Sequence, residues 1–152
     1  MTSRGVHKLL AMLLFVTASA CSAPPSKLPQ TEVLRFGVSH MGGSYGFVVR
    51  SDGAAEYQES RPPQGEVKVT ARVSEQELKE LASLLRARGF CSNVSSRKRG
   101  VPDEARPRVS VRLEGLDCEV QMWDGEFRDD PAAFEALRAV EALGSVIRDR
   151  GR

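Results

Sequence analysis

The order in which two hydrophobic periodicities appear limits this chain more than any single motif does. Segments that alternate apolar and polar residues come first: Glu32 to Val38, Tyr45 to Arg50, Ala55 to Glu59, and Val67 to Val73. In the first of them Leu34, Phe36 and Val38 share one face, the pattern of a half-buried strand. A helical segment follows, then a second alternating pair: Val109, Val111 and Leu113, a turn at Gly115-Leu116-Asp117, and Cys118, Val120 and Met122. A last helical segment closes the order. Strand runs without strand-helix-strand alternation exclude a doubly wound parallel sheet. They predict an α+β fold: an antiparallel sheet of about five to six strands with two amphipathic helices packed on one face, in the order strands, helix, hairpin, helix.

The helix starts carry their own signals. Ser74-Glu75-Gln76-Glu77 is a capping box, in which the serine hydroxyl and the glutamate three residues later each satisfy a free backbone N–H. Leu78, Leu81, Ala82, Leu84 and Leu85 then fall on one face, and Gly89 stands where the helix should stop. Asp124-Gly125 reads as a turn. Asp130-Pro131 pairs an N-cap with a proline at the first helical position, where its missing N–H costs nothing. The core stripe expected there is Phe134, Leu137, Val140, Leu143 and Ile147. Gly144 inside it costs about 1 kcal/mol unless something packs closely against it.

Ahead of this domain stands a targeting segment. Arg4 and Lys8 precede the apolar run Leu9 to Val16, and small residues lead to Cys21. The run is far shorter than the roughly 20 residues of a membrane-spanning helix. Ala18-Ser19-Ala20-Cys21 resembles the lipobox of bacterial lipoproteins, although such sequences usually carry Leu where Ala18 stands; it also reads as an ordinary A-x-A cleavage site. Residues 1–20 are thus a signal peptide, residues 21–31 a lipidated cysteine with a Pro-rich tether, and residues 32–150 one α+β domain. The lipobox resemblance implies an acylated Cys21 anchoring the chain to a membrane, and Ser22 is compatible with the outer membrane of a diderm cell. Under the other cleavage the protein is periplasmic or secreted and soluble.

Charge and cysteine count narrow the partners. The chain holds 22 Lys+Arg and 20 Asp+Glu; removing Arg4 and Lys8 with the leader leaves 22 − 2 = 20 of each sign. A neutral domain lacks the counterion-release drive that dominates nucleic-acid affinity, so no nucleic-acid partner is expected. Three cysteines are an awkward number in an oxidising compartment. Lipidating Cys21 leaves Cys91 and Cys118 to pair, tying the end of the first helix to the last strand. Such a bond contributes about 3 to 4 kcal/mol in the chain-entropy picture.

No constellation in the sequence amounts to catalysis, a metal site or a cofactor site. His40 is the only histidine after the leader and lacks ligand spacing. Gly42-Gly43-Ser44-Tyr45-Gly46 leads into a strand, whereas phosphate loops lead into a helix. Asp124, Glu126, Asp129, Asp130 and Glu135 cluster, but a calcium loop begun at Asp124 would place Asp129 where glycine is needed. Turn and cap chemistry explains them better. Arg97-Lys98-Arg99 with Arg106 and Arg108 reads as a solvated loop before it reads as a patch for anionic headgroups. Trp123 reads equally as an exposed contact beside Phe127 or as buried beneath the last helix.

Taken together, the strand leading into Ser39-His40-Met41-Gly42-Gly43-Ser44-Tyr45-Gly46, the capped helix from Val73 to Phe90, Pro102-Asp103 before a strand, and Pro131 to Leu137 opening the last helix resemble the emfourin family of small metalloprotease inhibitors. The chain departs from that family in its cysteine pair, its longer segment from Ser51 to Thr70 and its leader. The resemblance implies a non-enzymatic domain acting by protein binding on an exported partner such as a protease. The turn formed by Met41, Gly42, Gly43, Ser44 and Tyr45 would approach the cleft. On this reading bulky residues at Gly42 and Gly43 should leave the thermal midpoint little changed. The alternative is a structural envelope lipoprotein with no specific partner site.

Overall fold

The computed structural model describes residues 31–93, 95, 96, 99 and 103–152. The leader, Cys21 and the tether to Gln30 lie outside the described residues, as do Arg97, Lys98 and Pro102. Six strands form one antiparallel sheet: β1 (Glu32–His40), β2 (Gly43–Arg50), β3 (Ala54–Arg61), β4 (Gly65–Arg72), β5 (Arg108–Leu113) and β6 (Leu116–Gln121). Their spatial order is β4-β3-β2-β1-β5-β6. The first four strands form a meander, and the second hairpin joins it beside β1.

Register turns the alternation of each strand into continuous apolar rows. Val69, Tyr57, Phe47, Phe36, Val109 and Val120 lie side by side across all six strands. Beside them runs a second row of Ala71, Ala55, Val49, Leu34, Val111 and Cys118. Helices α1 (Glu75–Ala87) and α3 (Pro131–Arg150) cover these rows, and the largest fully buried side chains, including Phe90, Phe127, Leu85 and Leu137, fill the layer between. The α+β class and the single helical face follow from this one-sided burial. At α1 both halves of the capping box form: Glu77 N–H donates to Ser74 Oγ at 3.2 Å, and Ser74 N–H donates to the Glu77 carboxylate at 2.9 Å.

Three details differ from the sequence reading. Among the described residues there are three α-helices, because Asp124–Asp129 forms a short helix, α2, where the sequence reading has a turn. Trp123 N–H donates to Glu126 at 3.0 Å, Gly125 N–H donates to Glu104 at 2.8 Å, and buried Phe127 anchors the helix. Six residues are too few to display a period. The hairpin turn comes one step early, at Glu114 and Gly115, so Leu116 and Asp117 already belong to β6. Along α3 the buried stripe runs through Ala133, Ala136, Leu137, Val140, Leu143, Gly144 and Ile147, while Phe134 is only half-buried.

Gly144 has the close neighbour its place in a helix calls for. A Cβ there would meet the Phe47 ring at 2.8 Å, so only glycine lets α3 descend onto the centre of the sheet. Cys91 and Cys118 are disulfide-bonded with their Cα atoms 5.5 Å apart, joining the end of α1 to β6.

Candidate functional site

The segment from Met41 to Tyr45 is a tight reversal between β1 and β2. His40 pairs with Gly43, which leaves Met41 and Gly42 alone at the apex. Met41 is 83 % exposed, the most exposed large apolar side chain among the described residues. The base of the turn is fixed from two directions. The Gly42 N–H donates to His40 Nδ1 at 3.0 Å, so the only histidine after the leader braces the turn. Gly43 has φ of +138°, and a Cβ on it would stand 2.1 Å from the carbonyl oxygen of Ser60 on β3.

That contact corrects one expectation. The two glycines are not equivalent: a side chain at Gly42 meets only the movable His40 ring, at 3.1 Å, whereas one at Gly43 collides with backbone and forces a strained φ. Bulk at Gly43 therefore disturbs the sheet itself. The five residues also part company. Ser44 points to solvent, while Tyr45 turns to the core side, its ring centroid 5.8 Å from that of Phe36.

Tyr45 opens onto a feature the sequence did not suggest. Between α3 and the sheet lies a cleft of about 550 Å³, floored by Phe36, Tyr45, Phe47 and Tyr57 and rimmed by Arg61, Arg138 and Arg148. The Tyr45 hydroxyl donates to Glu141 at 3.5 Å, and the Tyr57 hydroxyl donates to Glu59 at 3.2 Å. Burial and then the nearby Glu141 carboxylate push the Tyr45 phenol up to about 12. Burial and then Glu59 raise Tyr57 as well. Both hydroxyls therefore stay protonated donors across the physiological range. Glu59 and Glu141 are themselves paired, with Arg61 and, at 3.0 Å, with Arg138. Tyr45 and Tyr57 sit on neighbouring strands, and only the pairing of Phe47 with Tyr57 and of Tyr45 with Glu59 brings them to one wall.

Several of the remaining candidates have structural partners, Glu135 among them, which pairs with Arg88 at 2.7 Å. Asp130 accepts from Ala132 and Ala133 at the start of α3, Glu126 caps α2, and Asp124 pairs with Arg128 at 2.5 Å. Arg106 lies over the ring of Trp123, 5.0 Å from its centroid, and donates to the Ser96 carbonyl at 2.6 Å. Trp123 is half-buried beneath it. Arg108 pairs with Glu119 at 2.9 Å. Among the described residues, no three His, Cys, Asp or Glu side chains converge as metal ligands, and no helix is long and apolar enough to cross a membrane. No protein-family model and no curated protein matches this chain.

Proposed function

We propose that this chain is a non-enzymatic envelope lipoprotein, anchored to the outer membrane through Cys21, that binds another exported protein through the β1–β2 turn, with inhibition of a protease as the form of that binding. The observation that carries the reading is Met41: a large apolar side chain left 83 % exposed on a turn held rigid at its base. An exposed apolar side chain is costly only in part, but a rigid mount removes most of the ordering entropy a partner would otherwise have to overcome. The Cys91–Cys118 disulfide fits an oxidising compartment.

The polarity of β1 supports the same reading. A tether ending at residue 31 enters β1 at Glu32, and the strand's 9 residues carry the chain about 30 Å to the turn. Met41 thereby lies at the opposite end of β1 from the point where residue 31 joins the strand. A two-residue apex cannot lie extended along a protease cleft as a substrate does, so the turn acts as a plug: the Met41 side chain enters a pocket and the sheet behind it blocks access.

The test is to titrate the purified chain and its Met41→Asp variant into exported metalloproteases and follow peptide hydrolysis. The chain should inhibit without being cut at the turn, and Met41→Asp should weaken inhibition at least about tenfold while its thermal midpoint stays put. Equal potency of the two proteins removes the turn from the proposal. Absence of inhibition, together with no cross-linked partner on intact cells, leaves a structural envelope role. Intact-mass analysis of the chain isolated from membranes reads the lipid on Cys21 directly; an unmodified N-terminus refutes the anchor.

A further inference from the structure

We infer that the open edge of β4 is a self-association surface, pairing antiparallel with β4 of a second copy about Val67. This inference rests on β4 alone and stands or falls separately from the turn. Among the described residues β4 has a strand neighbour on one side only, β3. Which of its backbone groups remain available follows from one hydrogen bond. Val73 N–H donates to Gly53 O at 2.9 Å, continuing the β3–β4 ladder in which Ala54 faces Arg72 and Ala55 faces Ala71. In an antiparallel ladder hydrogen-bonded and non-hydrogen-bonded pairs alternate. The odd residues of β4 therefore spend their N–H and C=O on β3, and the even ones, Glu66, Lys68, Thr70 and Arg72, direct theirs outward. The Arg72 carbonyl agrees, since it accepts from Arg150 Nη1 of α3 at 3.1 Å.

The last turn of α3 covers only the second half of this edge. Besides the Arg150 contact, Gly151 sits so close to Val69 and to the Thr70 carbonyl that a Cβ would approach them at 2.7 and 3.0 Å. Glu66 and Lys68 keep free outward backbone groups, and between them Val67 is 46 % exposed. The segment has no proline and no bulge; the edge-guarding residues it does carry are charged, Glu66 and Lys68, and these repel a partner strand unless that strand offers the opposite charges in register.

A second copy of this segment is its best complement. Placing Val67 opposite Val67 of the second copy makes Glu66 and Lys68 of one chain face Lys68 and Glu66 of the other. These are outward-directed residues, so each such pair forms reciprocal N–H···O=C bonds. Their side chains, on the sheet face away from the helices, already meet β3 of their own chain, Lys68 pairing with Glu56 at 2.9 Å and Glu66 accepting from Gln58 at 2.6 Å, and the symmetric pairing extends these contacts by bringing Glu66 and Lys68 of opposite chains together twice. Val67 meets its counterpart in the closer, non-hydrogen-bonded spacing and removes both side chains from water. Shifting the register by one residue sets Lys68 against Lys68 and loses all of this.

The experiment is sedimentation of the chain as isolated from cells in detergent, across a concentration series, for wild type, Glu66→Lys, Lys68→Glu and a 1:1 mixture of the two variants. Wild type should show a reversible monomer–dimer equilibrium. Each variant places like charges opposite each other twice and should lose about tenfold in association constant. The mixture restores both opposite-charge pairs and should associate as wild type does. Circular dichroism and thermal midpoints establish that both variants are folded; for a variant that is not, Val67→Lys replaces it and should also abolish association. A monomeric wild type, association indifferent to charge reversal, as clustering through a lipid anchor would be, or a mixture no tighter than its parts overturns the proposal.

Discussion

The two edges of the sheet are finished in opposite ways. At β6 the chain closes its own border: Ser96 N–H donates to the Gln121 carbonyl at 2.8 Å, Gln121 N–H donates to Ser95 Oγ at 3.0 Å, and the Cys91–Cys118 bond fastens the same strand to the end of α1. At β4 the last turn of α3 and the Arg150 guanidinium cover only the second half, and among the described residues nothing covers the first. One border is fastened at its 118–121 end by covalent and hydrogen bonds from the loop before β5, the other at its 69–72 end by the last turn of α3. Because the 118–121 end of β6 is fastened in this way, the proposed pairing with another chain is placed at β4.

The largest expected break in this contrast comes from the disulfide. Replacing Cys91 and Cys118 together by serine releases a cross-link across 27 residues and should cost about 3 to 4 kcal/mol, read by denaturant unfolding. Amide exchange should speed up at Gln121 and Val120 while β2 and β3 keep their order of protection. Equal stability with and without reductant would show that the loop's hydrogen bonds alone close β6.

A smaller effect sharpens the other edge. Gly151→Ala drives a methyl into Val69 and the Thr70 carbonyl, so the last turn of α3 should lift away at a cost of about 1 to 2 kcal/mol. Exchange at Thr70 and Arg72 should rise with it. An unchanged thermal midpoint would mean that α3 does not guard this border.

The smallest effect depends on pH. Glu77 caps α1 and also takes the Arg150 guanidinium at 2.7 Å, so it couples the helix start to the residue that covers Arg72. Hydrogen bonds from Arg150 and then from Ser74 hold its carboxyl down at about 2, against an ordinary value of 4.5. A depressed carboxyl contributes fully above the ordinary value and loses that contribution as pH falls toward 2. Glu77→Gln should therefore cost about 1 kcal/mol at neutral pH, and wild type and variant should converge between pH 4.5 and 2. Parallel acid-stability curves would refute the coupling.

What could be read from the residues was what local chemistry decides. Ser74 and Glu77 mark the start of α1 because capping needs only four consecutive residues, and Asp130-Pro131 does the same for α3. The disulfide was legible by arithmetic, since three cysteines leave one pair once Cys21 is set aside. The succession of strands, helix and hairpin followed from alternation and turns, whereas the place of the hairpin beside β1 is set by long-range pairing that no local pattern carries. Helix α2 escaped because its stability comes from Glu104, distant in sequence, and from burying Phe127. The aromatic cleft escaped because Tyr45, Tyr57 and Glu141 meet only through strand register and the placement of α3. The unequal roles of Gly42 and Gly43 depend likewise on Ser60, which lies on a strand that the turn itself does not touch in sequence.

The contact of Gly144 with Phe47 bears on how this scaffold can diverge. Because α3 rests on the ring at a single bare Cα, that point acts as a fulcrum, and the width of the aromatic cleft beside it depends on how far the helix rides above the sheet. One added carbon there would raise the fulcrum and resize the cleft without altering any residue of its rim. A lineage could thus retune what the cleft admits through a single codon in the core, leaving the exposed turn at Met41 and the bare stretch of β4 untouched.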